Sequence, residues 1–391
     1  MNFNKMINRK GTYCTQWDYV EDRFGRSDLL PFTISDSDFS LPEEVLDALQ
    51  QRIQHGVFGY SRWNHDDFKS SVYNWYKKRF ESQIDTDWVT YSPSVIYSIS
   101  QLLNLKSEEG NGVIIQTPAY DAFYKTITAN HRLVVENPLK FDGKSYEIDF
   151  ELLEDELKKD NNKVLLFCSP HNPTGRVWSS DDVKRVVKLC HENDVFIISD
   201  EIHMDILRPD FQHYPITNFD CDNVALLTSG TKTFNFPSLL FSYLLIPDNQ
   251  LREDFLVRLK SKDGLSSPSV LGMLATMESY NKCEPWLTEM NDYIDENIKY
   301  TREFLEDNCS NLSLVNPEAT YLLWINCSEL NVSMDKFQEV LINDAKVAIM
   351  DGRVYGGNGK NFLRLNVGCP KSKLQEGLNR LKMAYDIVST E

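Results

Sequence analysis

Thr228-Ser229-Gly230-Thr231-Lys232-Thr233-Phe234 decides how the rest of the chain is read. Val224 to Thr228, just before it, is an apolar run of strand length. The segment from Phe234 to Leu245, just after it, is again mostly apolar. A lysine between two such runs is costly to bury as a cation, so it needs a partner or a covalent role. Ser229 and Thr231 add hydroxyls suited to an anionic group. The plainer alternative is a solvated lysine in a polar turn, and the stretch alone leaves both open.

Outward from it, strand and helix signals alternate. Trp88 to Tyr91 leads into Ser92-Pro93-Ser94-Val95-Ile96 and a helix through Leu105. Gly112–Gln116, Lys163–Cys168 and Val195–Ser199 are short apolar runs. They end at Thr117-Pro118-Ala119-Tyr120, at Ser169-Pro170-His171-Asn172-Pro173-Thr174-Gly175 and at Asp200-Glu201-Ile202-His203 respectively. Helical patterns fall between several of them, notably at 180–193. Upstream, helices are expected after Pro42, with Val45, Leu46, Leu49 and Ile53 at helical spacing, and over 66–80. This alternation predicts an α/β domain with a mostly parallel sheet flanked by helices. In such sheets ligands bind beyond the carboxyl ends of the strands. The unusual residues sit just there.

From about residue 265 the texture changes. Residues 268–308 are helical and poor in glycine. Strands at 320–326, 346–350 and 362–366 then alternate with helices near 333–343 and 371–387, which predicts a smaller α+β domain.

A chain of 391 residues can bury two cores. The net charge of −17 argues against nucleic acid as a partner. No apolar run approaches a membrane span, and the first ten residues have no signal-like apolar core. The eight cysteines form no CxxC pair and no zinc-like cluster, so no metal is expected. Cys168, Cys190 and Cys327 read as reduced core residues, which fits a cytoplasmic setting.

Several residues now ask for one explanation. Asp200 follows an apolar run, and a carboxylate at a core edge wants a fixed partner. Arg364 stands alone in Phe362-Leu363-Arg364-Leu365 and wants a bidentate carboxylate, which an amino acid supplies. Pyridoxal phosphate would satisfy the whole set. Lys232 would hold it covalently. Asp200 would face its ring nitrogen, Asn172 its phenolic oxygen and Tyr120 its ring face. The amides of Val95 and Ile96, with Ser229 and Thr231, would take its phosphate. Each has a plainer alternative. Asp200 could cap a helix beginning near Glu201, Asn172 could serve a turn, Tyr120 could be core, and Arg364 could make a structural ion pair.

The ordered set Tyr120, Asn172, Asp200, Lys232 and Arg364 resembles the fold type I pyridoxal-phosphate enzymes, the aspartate aminotransferase superfamily, over roughly residues 28–385. Finer motifs resemble the MalY/PatB class of cystathionine β-lyases, or C–S lyases. They are Leu30 to Phe39, Phe58-Gly59-Tyr60, Asn64 to Asp67, Pro118 to Tyr124, Asp200 to Asp205 and Leu365 to Pro370. The resemblance implies a homodimer with shared active sites, in which Tyr60 reaches the neighbouring subunit's phosphate. It also implies a segment 1–45 serving the small domain and the dimer, a large cofactor-binding domain 46–284, and a small domain 285–391. Arg364, Asn172 and Ser35 would bind substrate, and His203 would stand near the phenolic oxygen, where aminotransferases usually have tyrosine.

The chain departs from these patterns in places. Leu240 replaces the phosphate-binding arginine usual in aminotransferases eight residues after the lysine, which matches the lyase branch. Thr33 and Ser37 replace the tryptophan and methionine of that branch, and Ser94 its glycine. The implied reaction is α,β-elimination of L-cystathionine, or of related cysteine conjugates, to thiol, pyruvate and ammonia. The alternatives are transamination on the same residues and, in another class, regulation through binding a transcription factor. No exposed stretch argues for the last.

Overall fold

Three strongly apolar runs, at 162–168, 196–200 and 224–228, become the centre of a seven-stranded sheet. The computed structural model describes residues 2–219 and 222–390, so Cys221 lies outside the described residues. The strands are β1 (Val89–Ser92), β2 (Gly112–Thr117), β3 (Leu133–Pro138), β4 (Asn162–Cys168), β5 (Phe196–Asp200), β6 (Val224–Thr228) and β7 (Ser242–Leu245). Their order in space is β1-β7-β6-β5-β4-β2-β3. Strand β7 runs antiparallel to both its neighbours, and the other pairings are parallel. Helices cover both faces, so the central strands are buried at every position but the half-buried Lys163 and carry no alternation. Each large apolar side chain buried there contributes about 1.5–3 kcal/mol.

Local signals account for the helix starts. Ser179 and Asp182 form a reciprocal capping box at Ser180–Glu192. Helix Asp66–Phe80 buries Phe68, Val72, Trp75, Tyr76 and Phe80, the face its spacing predicts. Helix Glu43–Gln54 buries Val45 and Leu49 but leaves Ile53 exposed, so its apolar stripe is shorter than expected.

The second sheet has the order Leu30–Phe32, Val347–Asp351, Phe362–Asn366, Leu322–Asn326, Ser313–Leu314. Its first strand comes from the N-terminal segment and pairs parallel with Val347–Ile349. Helices Met334–Asn343 and Lys371–Thr390 pack together beside it. The proposed division at 284/285 falls at the first residue of the long helix Glu284–Asn308. Among the described residues no helix is long and apolar enough to cross a membrane.

Two expectations need correction. The strand before Asp200 runs Phe196–Asp200, so Asp200 is its last residue. No helix starts at Glu201; the chain turns there, and Asp200 Oδ1 accepts the Ile202 N–H at 3.1 Å. Asp200 is therefore not a helix cap. The loop beyond it is fixed by Glu201, which meets His213 Nε2 at 2.6 Å with both side chains buried.

Candidate active site

Parallel strands end side by side, so whatever follows them converges. Asp200 closes β5, in register with Cys168 on β4 and Leu227 on β6. Tyr120 follows β2, Asn172 follows β4 and Lys232 follows β6. All four line one cavity of about 180 Å³, together with Ser35, Val95, Ile96, His203, Ser229 and Thr231. The sequence brings these residues together as expected. The turn His171–Gly175 is closed by the Gly175 N–H on the His171 carbonyl, with Gly175 at φ +73°, a conformation that favours glycine.

Lys232 sits in the short helix Gly230–Thr233. Its Nζ donates to the Ser35 carbonyl at 2.7 Å. Among the described residues it has no carboxylate within ion-pair reach. Burial lowers its pKa, aided by Arg364 and opposed by Asp36 and Asp200. Asp200 likewise lacks a cationic partner among the described residues, and burial pushes its carboxyl up to about 7. His203 is driven down to about 3 by burial and by the positive charges of Lys232 and Arg364, so it is a neutral imidazole. Its buried Nδ1 has no partner among the described residues.

Arg364 lies behind this wall. Its Nη2 donates to the Thr33 carbonyl at 2.7 Å and its Nη1 to Asn172 Oδ1 at 3.3 Å. Its Cζ stands 5.0 Å from the Tyr355 ring centre. Among the described residues its buried Nε has no partner and no carboxylate pairs with it, which removes the structural ion pair as an explanation. With Oδ1 taken by Arg364, Asn172 has its NH2 group left to donate.

At the other end of the cavity, Ser94 Oγ caps helix Val95–Lys106 by accepting the Tyr97 N–H at 3.1 Å. Val95 and Ile96 form its first turn, whose amides have no partner within the helix. Ser229 spends its hydroxyl proton on the Phe241 carbonyl at 2.5 Å, so it offers an anion less than its sequence position suggests. Leu240 lines the mouth at φ 49° and is exposed. Tyr60 is fully exposed and takes no part in the cavity of its own chain. Sequence reading missed Pro93, Cys168, Ile202, Pro237, Phe241 and Ser242 as lining residues. The capping role of Ser94 was missed too, although a serine just before an apolar helix is a cap signature.

These features fit pyridoxal phosphate. A buried carboxylate short of a cation suits a protonated ring nitrogen. The helix N-terminus suits a phosphate. An amine at the same cavity with no carboxylate partner among the described residues suits covalent attachment, and His203 Nδ1 and Arg364 Nε, which have no hydrogen-bond partner among those residues, can serve a bound group.

Residues 27–381 match the family described as aminotransferase class I and II. The chain belongs to that family. It is 45% identical to protein MalY of Escherichia coli, over 96% of this chain and 97% of that protein. It is 34% identical to cystathionine beta-lyase PatB of Bacillus subtilis, over 98% of this chain and all of that one. The solved pyridoxal-phosphate-bound C–S lyase of Staphylococcus hominis superposes with a TM-score of 0.92 at 30% identity, covering 98% of each chain. The α/β architecture and the MalY/PatB-type resemblance stand on these likenesses.

Asp200 gives a pH-dependent expectation for the cofactor-free protein. Its folded pKa of about 7 lies above the ordinary 3.8. Burial therefore costs nothing below pH 3.8, costs progressively more as pH rises, and is fully felt above 7. Asp200→Asn keeps the acceptor for Ile202 and removes that cost, which has an upper limit of about 4 kcal/mol at ~1.4 kcal/mol per pH unit. The cofactor-free variant should melt higher than cofactor-free wild type at pH 8, with the gap closing towards pH 5. Thermal melts at several pH values check this; a gap independent of pH would contradict it.

Proposed function

We propose that this chain is a pyridoxal-phosphate-dependent C–S lyase that cleaves L-cystathionine and related cysteine thioethers by α,β-elimination. Cystathionine and water would give homocysteine, pyruvate and ammonia. The observation that carries the reading is the cavity's charge arrangement. A carboxylate without a cation and a lysine without an anion line one wall, with a guanidinium behind it. The choice of elimination rests on likeness to the Bacillus subtilis β-lyase along both whole chains. His203 and Leu240, standing where aminotransferases usually carry tyrosine and arginine, favour the same outcome.

The cofactor, when bound, supplies an electron sink for the charge left when the α-proton departs. The residues supply the rest. Arg364 and Asn172 hold the α-carboxylate, with Ser35 beside them. Asp200 keeps the ring nitrogen protonated through an ion pair. Lys232, its pKa lowered by burial, takes the α-proton as a neutral amine and returns a proton to the departing sulfur. Tyr120 covers the ring face. Val95, Ile96, Thr231 and the partner subunit's Tyr60 hold the phosphate, which requires a homodimer. The acidic surface, with its net charge of −17, and the buried thiols Cys168 and Cys327 suit a reducing cytoplasm and no nucleic-acid partner.

The test is turnover of L-cystathionine by purified, cofactor-loaded protein without a keto acid. Pyruvate and free thiol appearing together support the reading. Turnover only when a keto acid is added makes the protein an aminotransferase instead. Arg364→Lys keeps the charge but loses the fork, so KM should rise roughly 10- to 100-fold with a smaller fall in kcat. Steady-state kinetics check it, and an unchanged KM would remove Arg364 from the substrate site.

A further inference from the structure

Lys232 sits in the short helix just after β6, and Arg364 lies on strand Phe362–Asn366 of the second sheet, 132 positions further along the chain. They share one support, the N-terminal strap at 33–38. Arg364 Nη2 donates to the Thr33 carbonyl at 2.7 Å, and Lys232 Nζ donates to the Ser35 carbonyl at 2.7 Å. The strand that carries Arg364 and the turn just after the helix that carries Lys232 each send an asparagine to the strap. Asn366, two residues after Arg364, donates through Nδ2 to the carbonyls of Ile34 at 2.6 Å and Asp36 at 2.7 Å, straddling Ser35. Asn235, three residues after Lys232, accepts the Ser37 N–H at 3.1 Å and donates to the carbonyls of Ser37 at 2.9 Å and Phe39 at 2.8 Å.

Other groups complete the clamp. Gln16 Oε1 accepts the N–H groups of Thr33 and Ile34, each at 3.2 Å. The Tyr321 hydroxyl, fully buried, donates to the Ser35 carbonyl at 3.1 Å, the acceptor it shares with Lys232, and lies 3.5 Å from the carbonyl of Lys232 itself, so it ties the strap to the lysine's backbone as well. Arg9 pairs with Asp36 at 2.7 Å and Asp38 at 2.8 Å, and Lys373 with Asp38 at 2.6 Å. Asp38 N–H reaches the Gly368 carbonyl at 2.8 Å. A segment with so many of its polar groups held, from one strand of the second sheet and from the helices and turns around it, is a fixed template.

We propose that the strap sets the distance between the carboxylate-binding guanidinium and the proton-carrying amine, and that Asn366 and Tyr321 are positioning residues acting through it. Neither lines the cavity. Misplacing one cation relative to the other by a fraction of an ångström would separate carboxylate binding from proton transfer, and effects of that kind reach tenfold or more. The inference rests on the lyase reading for its kinetic arm only.

The experiment uses Asn366→Ala and Tyr321→Phe in the full-length protein. Two quantities are read: KM for L-cystathionine in the cofactor-loaded enzyme, and the pH midpoint of the rate at which cofactor-free protein gains the visible band on adding pyridoxal phosphate. That midpoint follows the Lys232 amine. Asn366→Ala should raise KM about tenfold. It should also move the midpoint down by roughly half a pH unit, because the ammonium loses a well-placed acceptor. Tyr321→Phe should move the midpoint up, because the Ser35 carbonyl then serves Lys232 alone. It removes one hydroxyl, so it decides the matter if Asn366→Ala does not fold. Folded, cofactor-loaded variants with wild-type KM and midpoint would overturn the proposal, whatever their melting temperatures. A wild type that turned over no thioether would defeat the lyase reading and still leave the midpoints to judge the strap.

Discussion

Lys232→Ala is expected to lower thioether turnover about ten-thousand-fold, the upper range for losing a proton-transfer group, because the covalent anchor goes with it. The structure argues this from what surrounds the amine. Among the described residues its Nζ is held by one carbonyl and by no carboxylate ion pair, and it lies in the cavity with Asp200 and Asn172. Among the described residues no other lysine lines that cavity. The variant keeps Asp200, Asn172, Tyr120 and the helix N-terminus at Val95, so it should still bind the cofactor, without the visible band of the lysine-bound form. Lys232→Arg should behave alike, since it keeps a charge but cannot form the bond. Kinetics and absorbance on the same preparations check both. A variant retaining a tenth of wild-type turnover would move the chemistry to another residue.

Asp200→Asn is expected to cost roughly 100- to 1,000-fold in kcat, the range found when one preorganised electrostatic group is removed. The amide cannot balance a protonated ring nitrogen, so the electron sink weakens while the fold survives. The two consequences of this change have opposite signs. The cofactor-free variant gains stability above pH 7, and the loaded variant loses activity. That opposition separates a functional carboxylate from a structural one. A structural Asp200 would lower melting temperature and activity together.

The parts of this site that the sequence made readable depended on local signals. Buried parallel strands show as unbroken apolar runs, so β4, β5 and β6 and the polar residues that end them could be found. Strand β3 escaped because it lies at the sheet edge, and Leu133, Glu136 and Pro138 are exposed there. Strand β7 was seen only as apolar sequence, since its reversed direction is set by its neighbours β1 and β6. The strap at 33–38 was legible as motif but not as mechanism. Its partners Asn235, Asn366 and Tyr321 lie about 200 to 330 residues away, and no local spacing encodes such pairings. Asp200 was placed at the core edge by its apolar approach. The turn that follows it, where a helix was one reading, is fixed by the distant His213 and Ile216 on Glu201.

The most direct test of the account is chemical mapping of the cofactor. Protein loaded with pyridoxal phosphate is reduced with borohydride, which fixes the lysine–cofactor bond, then digested and analysed by mass spectrometry. The account predicts a single modified peptide, carrying the pyridoxyl phosphate on Lys232. Modification of another lysine, or of none, would contradict it.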